Sequence, residues 1–152
     1  MRVSPCIIAA LLLFAPLAGH AQSLSARLAD APHIPAEEWR ALTAGKTVVY
    51  EIDGEVFGYE SYRTNSNQIT MRLADGLCIN GQWFMDQNAF CFNWEDGPLN
   101  CFNHKRLDST VYVIGLENGV ETDDIQRVLR IAPIPVACGP ALLSQLEPEV
   151  SP

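Results

Sequence analysis

Basic side chains are scarce in this chain: ten Lys and Arg stand against 18 Asp and Glu, a formal net charge of −8. A surface of that sign repels phosphate backbones and anionic headgroups, which argues against nucleic acid as a partner. Histidine is scarcer still, with only His20, His33 and His104. Catalytic zinc needs two or three histidines, and a structural zinc site needs closely spaced cysteine pairs that are missing here, so no metal is expected. The Gly-x-Ser-x-Gly elbow of serine hydrolases does not occur. Asp123-Asp124 and Glu95-Asp96 lack the spaced ligand run of a dedicated calcium loop. Gly45-Lys46-Thr47 has the tail of a phosphate-binding loop, but Arg40 stands where that loop needs its first glycine. No cofactor is implied.

Long apolar runs are also lacking, with one exception. Residues 7–18 form a short apolar stretch behind Met1-Arg2, and Gly19 and Ala21 are small residues before Gln22. This is the pattern of a signal peptide over 1–21, cleaved after Ala21, and the run is too short to span a bilayer. Cys6 precedes the apolar run, which is the wrong side for lipid attachment. Cleavage would leave 131 residues with nine basic and 18 acidic side chains, a net charge of −9, and no transmembrane segment. A periplasmic or extracellular location is expected. Four cysteines then remain, Cys78, Cys91, Cys101 and Cys138, and an even number in an oxidising compartment reads as two disulfides.

What the chain does have is a succession of short strands. Residues 22–34 show little periodicity and are expected to be a flexible lead-in, followed by a single β-rich domain over 35–140 and a disordered tail over 141–152. Pro35, Glu37, Glu38, Trp39 and Leu42, with Gly45 as a stop, specify a short amphipathic helix over 35–43. Such a helix is not stable alone, so Trp39 must dock elsewhere. Strands are expected at 47–52, 55–62, 68–73, 77–79, 82–85, 89–94, 99–104, 110–116 and 124–131, the last competing with a short helix capped at Thr122-Asp123-Asp124, with Asp53-Gly54 and Asn80-Gly81 as hairpin turns. Strands without interleaved helices argue an all-β domain with one short N-terminal helix. Sequential hairpins favour an antiparallel meander closed into a small lipocalin-like barrel, with a β-sandwich as the alternative.

Residues 77–104 hold three of the five cysteines, two of the three tryptophans and four of the six phenylalanines. Turns centred on Asn80-Gly81, Gln87 and Asp96 would align Cys78, Trp83, Cys91 and Cys101 in one row on the outer face. Leu77, Ile79, Phe84, Phe90, Phe92, Trp94 and Phe102 would then share the other face, as core or ligand lining. Cys91–Cys101 with Cys78–Cys138 would strap the proline-rich tail over Trp83. Cys78–Cys91 with Cys101–Cys138 is the competing pairing, since a bulge would shift the row.

Gly58-Tyr59-Glu60-x-Tyr62, Cys78-x-x-Gly81-x-Trp83, Cys91-Phe92, Cys101-Phe102 and the late Cys138 resemble a family of small secreted β-rich proteins from alphaproteobacteria. Asn93 and His104 depart from that pattern. The resemblance implies export and a β-rich fold, and it implies no catalytic residue.

His33 and His104 are expected at the surface and at the barrel rim. Glu51, Glu55, Glu60 and Glu95-Asp96 are the carboxylates that a glycoside-type hydrolase would need, and they lie on early strands and a turn. The residues therefore point to a non-enzymatic protein whose barrel binds a small apolar ligand. An envelope-protein partner or inhibitor role through acidic loops is the alternative, and a weak carboxylate hydrolase is third.

Overall fold

Alternation of β-branched or aromatic residues with polar ones runs through most of the chain, and each interruption carries a residue able to adopt positive φ. Asp53, Asn65, Gln87, Asp108 and Asn118 all do so, with φ of 51 to 55°. The result, in a computed structural model that describes residues 22–134, 136 and 138, is eight strands. They are β1 (Thr47–Ile52), β2 (Glu55–Tyr62), β3 (Gln68–Leu73), β4 (Cys78–Asp86), β5 (Ala89–Trp94), β6 (Leu99–Leu107), β7 (Thr110–Glu117) and β8 (Val120–Ala132). Each pairs antiparallel with the next, and β8 pairs with β1, so the sheet closes into a barrel and the sandwich alternative falls. Closure leaves no free strand edge. The expected signal peptide over 1–21 and tail over 141–152 lie outside the described residues.

Among the described residues two helices precede the barrel, α1 (Leu24–Ala29) and α2 (Ala36–Thr43). In place of the flexible lead-in expected for 22–34, Ser23 caps α1, and Leu28 and Ala31 pack on Ile114 outside the barrel. Lys105 points outward from β6 and donates to the Leu28 carbonyl at the end of α1, while Glu121 neutralises it at 2.7 Å. A cation at a helix C-terminus is stabilising. Between the helices, Ile34 N–H donates to the His104 carbonyl and Arg106 N–H to the Pro32 carbonyl. This short segment takes the place beside β6 that β5 has vacated. It explains why periodicity alone missed it: three buried residues in 13 leave no repeating pattern.

Helix α2 starts one residue after the expected proline, which serves as its N-cap. It closes one mouth of the barrel and drives Trp39 into the bore, where none of the side chain is exposed. Trp39 meets the rings of Tyr62, Phe90 and His104. Arg40 lies over the Trp83 ring and donates to Asn67, fixing the helix from outside.

Three expectations for the central stretch are corrected. First, Asn80-Gly81 is no turn: both residues sit within β4, opposite Thr70 and Ile69, so 78–79 and 82–85 belong to one strand. Gly81 faces inward, and a Cβ there would lie 2.7 Å from Trp94 Cε3. The glycine makes room for an indole instead of reversing the chain. Second, Asp86 pairs with Ala89, so the turn is the two residues Gln87-Asn88 and not one centred on Gln87. A shift of one residue turns every side chain over. Trp83 therefore points inward opposite Phe92, while Phe84, expected in the core, lies opposite Cys91 on the outer face and is 41% exposed. Leu77 is likewise exposed. Third, the tail strap does not pass over Trp83, which is inside the barrel.

The disulfides are Cys91–Cys101, between directly opposed residues with Cα atoms 4.0 Å apart, and Cys78–Cys138, across 60 residues. Both face the outer side of the wall. On its way to Cys78 the chain crosses β1 and β2: Thr47 Oγ1 donates to the Ile134 carbonyl, and Val136 N–H donates to Ser61 Oγ. Loop entropy makes the short bridge worth roughly 3 kcal/mol and the long one about 4 kcal/mol. A small barrel with two disulfides belongs to an oxidising compartment. Among the described residues, no helix is long and apolar enough to cross a membrane.

Candidate functional site

Inward positions of successive strands divide the bore in two. Around Trp39, the side chains of Tyr62, Trp83, Phe90 and His104 fill the space next to α2. Toward the opposite mouth, inward residues of β1 to β8 surround an open cavity of about 370 Å³. That volume falls in the range of small-molecule sites. Its walls are mostly apolar, from Phe57, Leu73, Ile79, Phe92, Trp94 and Phe102, and its rim includes Asp96, Gly97 and Pro98 of the β5–β6 loop. A larger concavity follows the outward residues Ser61, Thr70, Asn80 and Gln82. Its lining is more polar than that of the smaller cavity.

Alternation on β1 and β2 places Tyr50, Glu60 and Tyr62 on the same inner surface. Glu60 is buried, and its Oε2 accepts from Tyr50 Oη and from Tyr62 Oη, both at 2.6 Å. Tyr62 Oη in turn accepts from Trp39 Nε1 at 3.2 Å, so the network runs from α2 to the cavity. Glu60 Oε1 accepts no hydrogen bond from a described residue, and Glu60 lines the open space. Burial pushes its carboxyl up to about 7, against the pull of the two tyrosine hydroxyls. Burial, together with the neighbouring Glu60, also raises both tyrosines well above the ordinary phenol range. They remain donors throughout the physiological range.

Gln126 and Asn100 add amides to the lining, and Asp124 adds a second carboxylate. Asp124 is admitted by a glycine: a Cβ on Gly115 would lie 3.1 Å from Asp124 Oδ2. The register of β7 and β8 shifts between Ile114 and Leu116 at this point.

His104 corrects another expectation. It is not at the rim but fully buried, because β6 continues for three more residues and α2 covers it. Neither ring nitrogen has a hydrogen-bond partner among the described residues. Burial lowers its pKa to about 3, so the imidazole is neutral near pH 7. It packs as an aromatic, 4.1 Å from the Phe90 ring centre and 4.7 Å from Trp39. His33 is exposed.

The expected lining residues therefore separate into three groups. Phe92, Trp94 and Phe102 line the cavity, Phe90 belongs to the packed end, and Phe84 is outside. Cys78, Cys91, Cys101 and Cys138 brace the wall and contribute nothing to the interior. Sequence reasoning passed over Tyr50, Phe57 and Gln126, weighed Asp124 only as a calcium ligand, and treated Glu60 only as one early carboxylate among several. The usable signal was parity, since Glu60 occupies an inward position between Gly58 and Tyr62 where an apolar residue is the rule.

No family model, curated protein or solved structure matches the chain.

Proposed function

We propose that this is an exported, non-enzymatic barrel that carries a small, largely apolar molecule in the open end of its bore. The observation that supports the reading most directly is the coexistence of a filled end and an open end within one barrel. Packed interiors carry few voids larger than a water molecule. A cavity of about 370 Å³ walled by aromatic rings and ending on a buried carboxyl has the composition of a ligand site. The compartment follows from the signal-peptide pattern over 1–21 and from two disulfides that need oxidising conditions. The resemblance to small secreted β-rich proteins agrees with it. Catalysis is not part of the reading: the buried imidazole is neutral and packs as an aromatic against Trp39 and Phe90.

Native mass spectrometry of the protein purified without organic solvent tests this. A non-covalent adduct is expected that disappears on denaturation and is absent from Ile79→Trp, which fills the mouth. A protein that is adduct-free after purification, and that takes up no small aromatic probe, would sink the proposal.

A further inference from the structure

We propose that the cavity selects an organic cation, an ammonium group carried on an apolar body, over neutral or anionic molecules of the same shape. The inference rests on the carrier reading above and names the class of ligand.

The rings of Phe92, Trp94 and Phe102 are joined in the lining by the carboxylates of Glu60, Asp96 and Asp124, and among the described residues no Lys, Arg or His lines the space. Aromatic faces are electron-rich and attract an ammonium, most strongly when both are desolvated. The carboxylates add a field of the same preference, strongest at the buried Glu60, while Asp96 and Asp124 are exposed and act through solvent. An anion meets repulsion from each of these components, and a neutral molecule gains only apolar contact.

Glu60 supplies the independent observation. One carboxylate oxygen is held by two tyrosine hydroxyls, while the other faces the cavity without a described partner, on a side chain only 2% exposed. Oε1 is not among the buried unpartnered atoms and so is open to the cavity, where an ammonium donor placed against it gains a charge-assisted hydrogen bond. A metal ion is the wrong cation for this space. Among the described residues no three His, Cys, Asp or Glu side chains converge closely enough to hold one. The groups facing Glu60 are the hydroxyls of Tyr50 from β1 and Tyr62 from β2, both protonated near neutral pH, and Asp124 of β8 lines the same space. With its carboxyl raised to about 7, part of the Glu60 population is protonated below neutrality. Binding of a cation must then displace that proton, so affinity for a cation rises with pH while affinity for a neutral analogue does not.

The test is calorimetric titration of the disulfide-bonded protein with phenylbutylammonium, phenylbutanol and phenylbutanoate. The ammonium is expected to bind roughly tenfold more tightly than the alcohol, with the carboxylate weakest. Its affinity should increase between about pH 6 and about pH 8, as Glu60 gives up its proton. Glu60→Gln should weaken the ammonium several-fold more than the alcohol and abolish the rise of ammonium affinity with pH. Should that variant misfold, Asp124→Asn is the second arm, expected to weaken the ammonium alone. Equal binding of ammonium and alcohol, or preference for the carboxylate, overturns the cation assignment and leaves the carrier reading standing. No binding of any of the three overturns both.

Discussion

The two ends of the barrel are made from the same kinds of residue. Next to α2, Trp39, Trp83, Phe90 and His104 interlock and are almost entirely removed from solvent. At the other end Phe57, Phe92, Trp94 and Phe102 surround open space of about 370 Å³. Aromatic content does not separate them. The difference is one helix: α2 covers the first mouth and inserts an indole, whereas among the described residues the second is bordered by strand ends and the loop with Asp96, Gly97 and Pro98. Stability should therefore reside at the first end and ligand binding at the second.

The most severe way to break this comparison is Trp39→Ala. It removes the plug and leaves Tyr62 without its indole donor, at a cost of about 5 kcal/mol in urea or guanidinium unfolding. A cost near 1 kcal/mol would mean that the first end is as open as the second.

Next in size is the pH dependence of stability, in which the two ends oppose each other. On unfolding, His104 regains its ordinary value of 6.5 from a folded value of about 3. Between these values the unfolded state binds the extra proton, so stability declines as pH falls through this window, by about 1.4 kcal/mol per pH unit. Glu60 has the reverse sign: folded about 7, ordinary 4.5, so between these values the folded state binds the extra proton and stability declines as pH rises. From 4.5 to 6.5 the two contributions cancel, and the His104 loss stands alone below 4.5. Denaturation midpoints across pH should show that His104→Phe abolishes this part of the acid loss. Glu60→Gln should instead extend the loss upward to the ordinary histidine value. Parallel profiles for parent and both variants would refute the opposition.

The mildest change is Phe102→Ala at the open end. Its side chain already borders a void and is half-buried, so stability should drop by only about 1 kcal/mol, below the usual range for a fully enclosed phenylalanine. Binding of the ammonium probe should weaken by a larger factor than that loss would suggest. Unchanged binding with a large stability loss would reverse the assignment of roles.

Much of the architecture was legible because it depends on neighbours in sequence. The bounds of β3 and β5, the Asp53-Gly54 turn and the need for Trp39 to dock follow from alternation, turn chemistry and amphipathicity. The outward row of Cys78, Cys91 and Cys101 also survives, because their positions share one parity across β4, β5 and β6. Asn80-Gly81 misled, since the same dipeptide that favours a hairpin can also be a glycine whose missing side chain admits an indole from the next strand. That demand comes from Trp94, 13 residues away, and does not appear in any local window. The Gln87-Asn88 turn then decided between Trp83 and Phe84 by a single residue, the smallest error that period-two reasoning can make and the one with the largest effect on the face assigned.

The candidate site was less legible than the fold. Phe92, Trp94 and Phe102 were recognisable as inward aromatics, but whether an inward aromatic packs or lines a cavity depends on what faces it across the bore. Tyr50 and Glu60 lie on different strands, and their shared hydrogen bond is a product of register.

The sequence by itself determined an all-β chain, the approximate strand order, a docked tryptophan helix and cysteines on the outside of the wall. These follow from periodicities and turn preferences that act over a few residues. Tertiary structure alone decided which end of the barrel is filled, where His104 loses its hydrogen-bond partners, and how Glu60 comes to face empty space. The physical reason is that packing is settled by contacts between segments remote in sequence. Trp39 and His104 are 65 positions apart, yet the ring of one closes the space around the other.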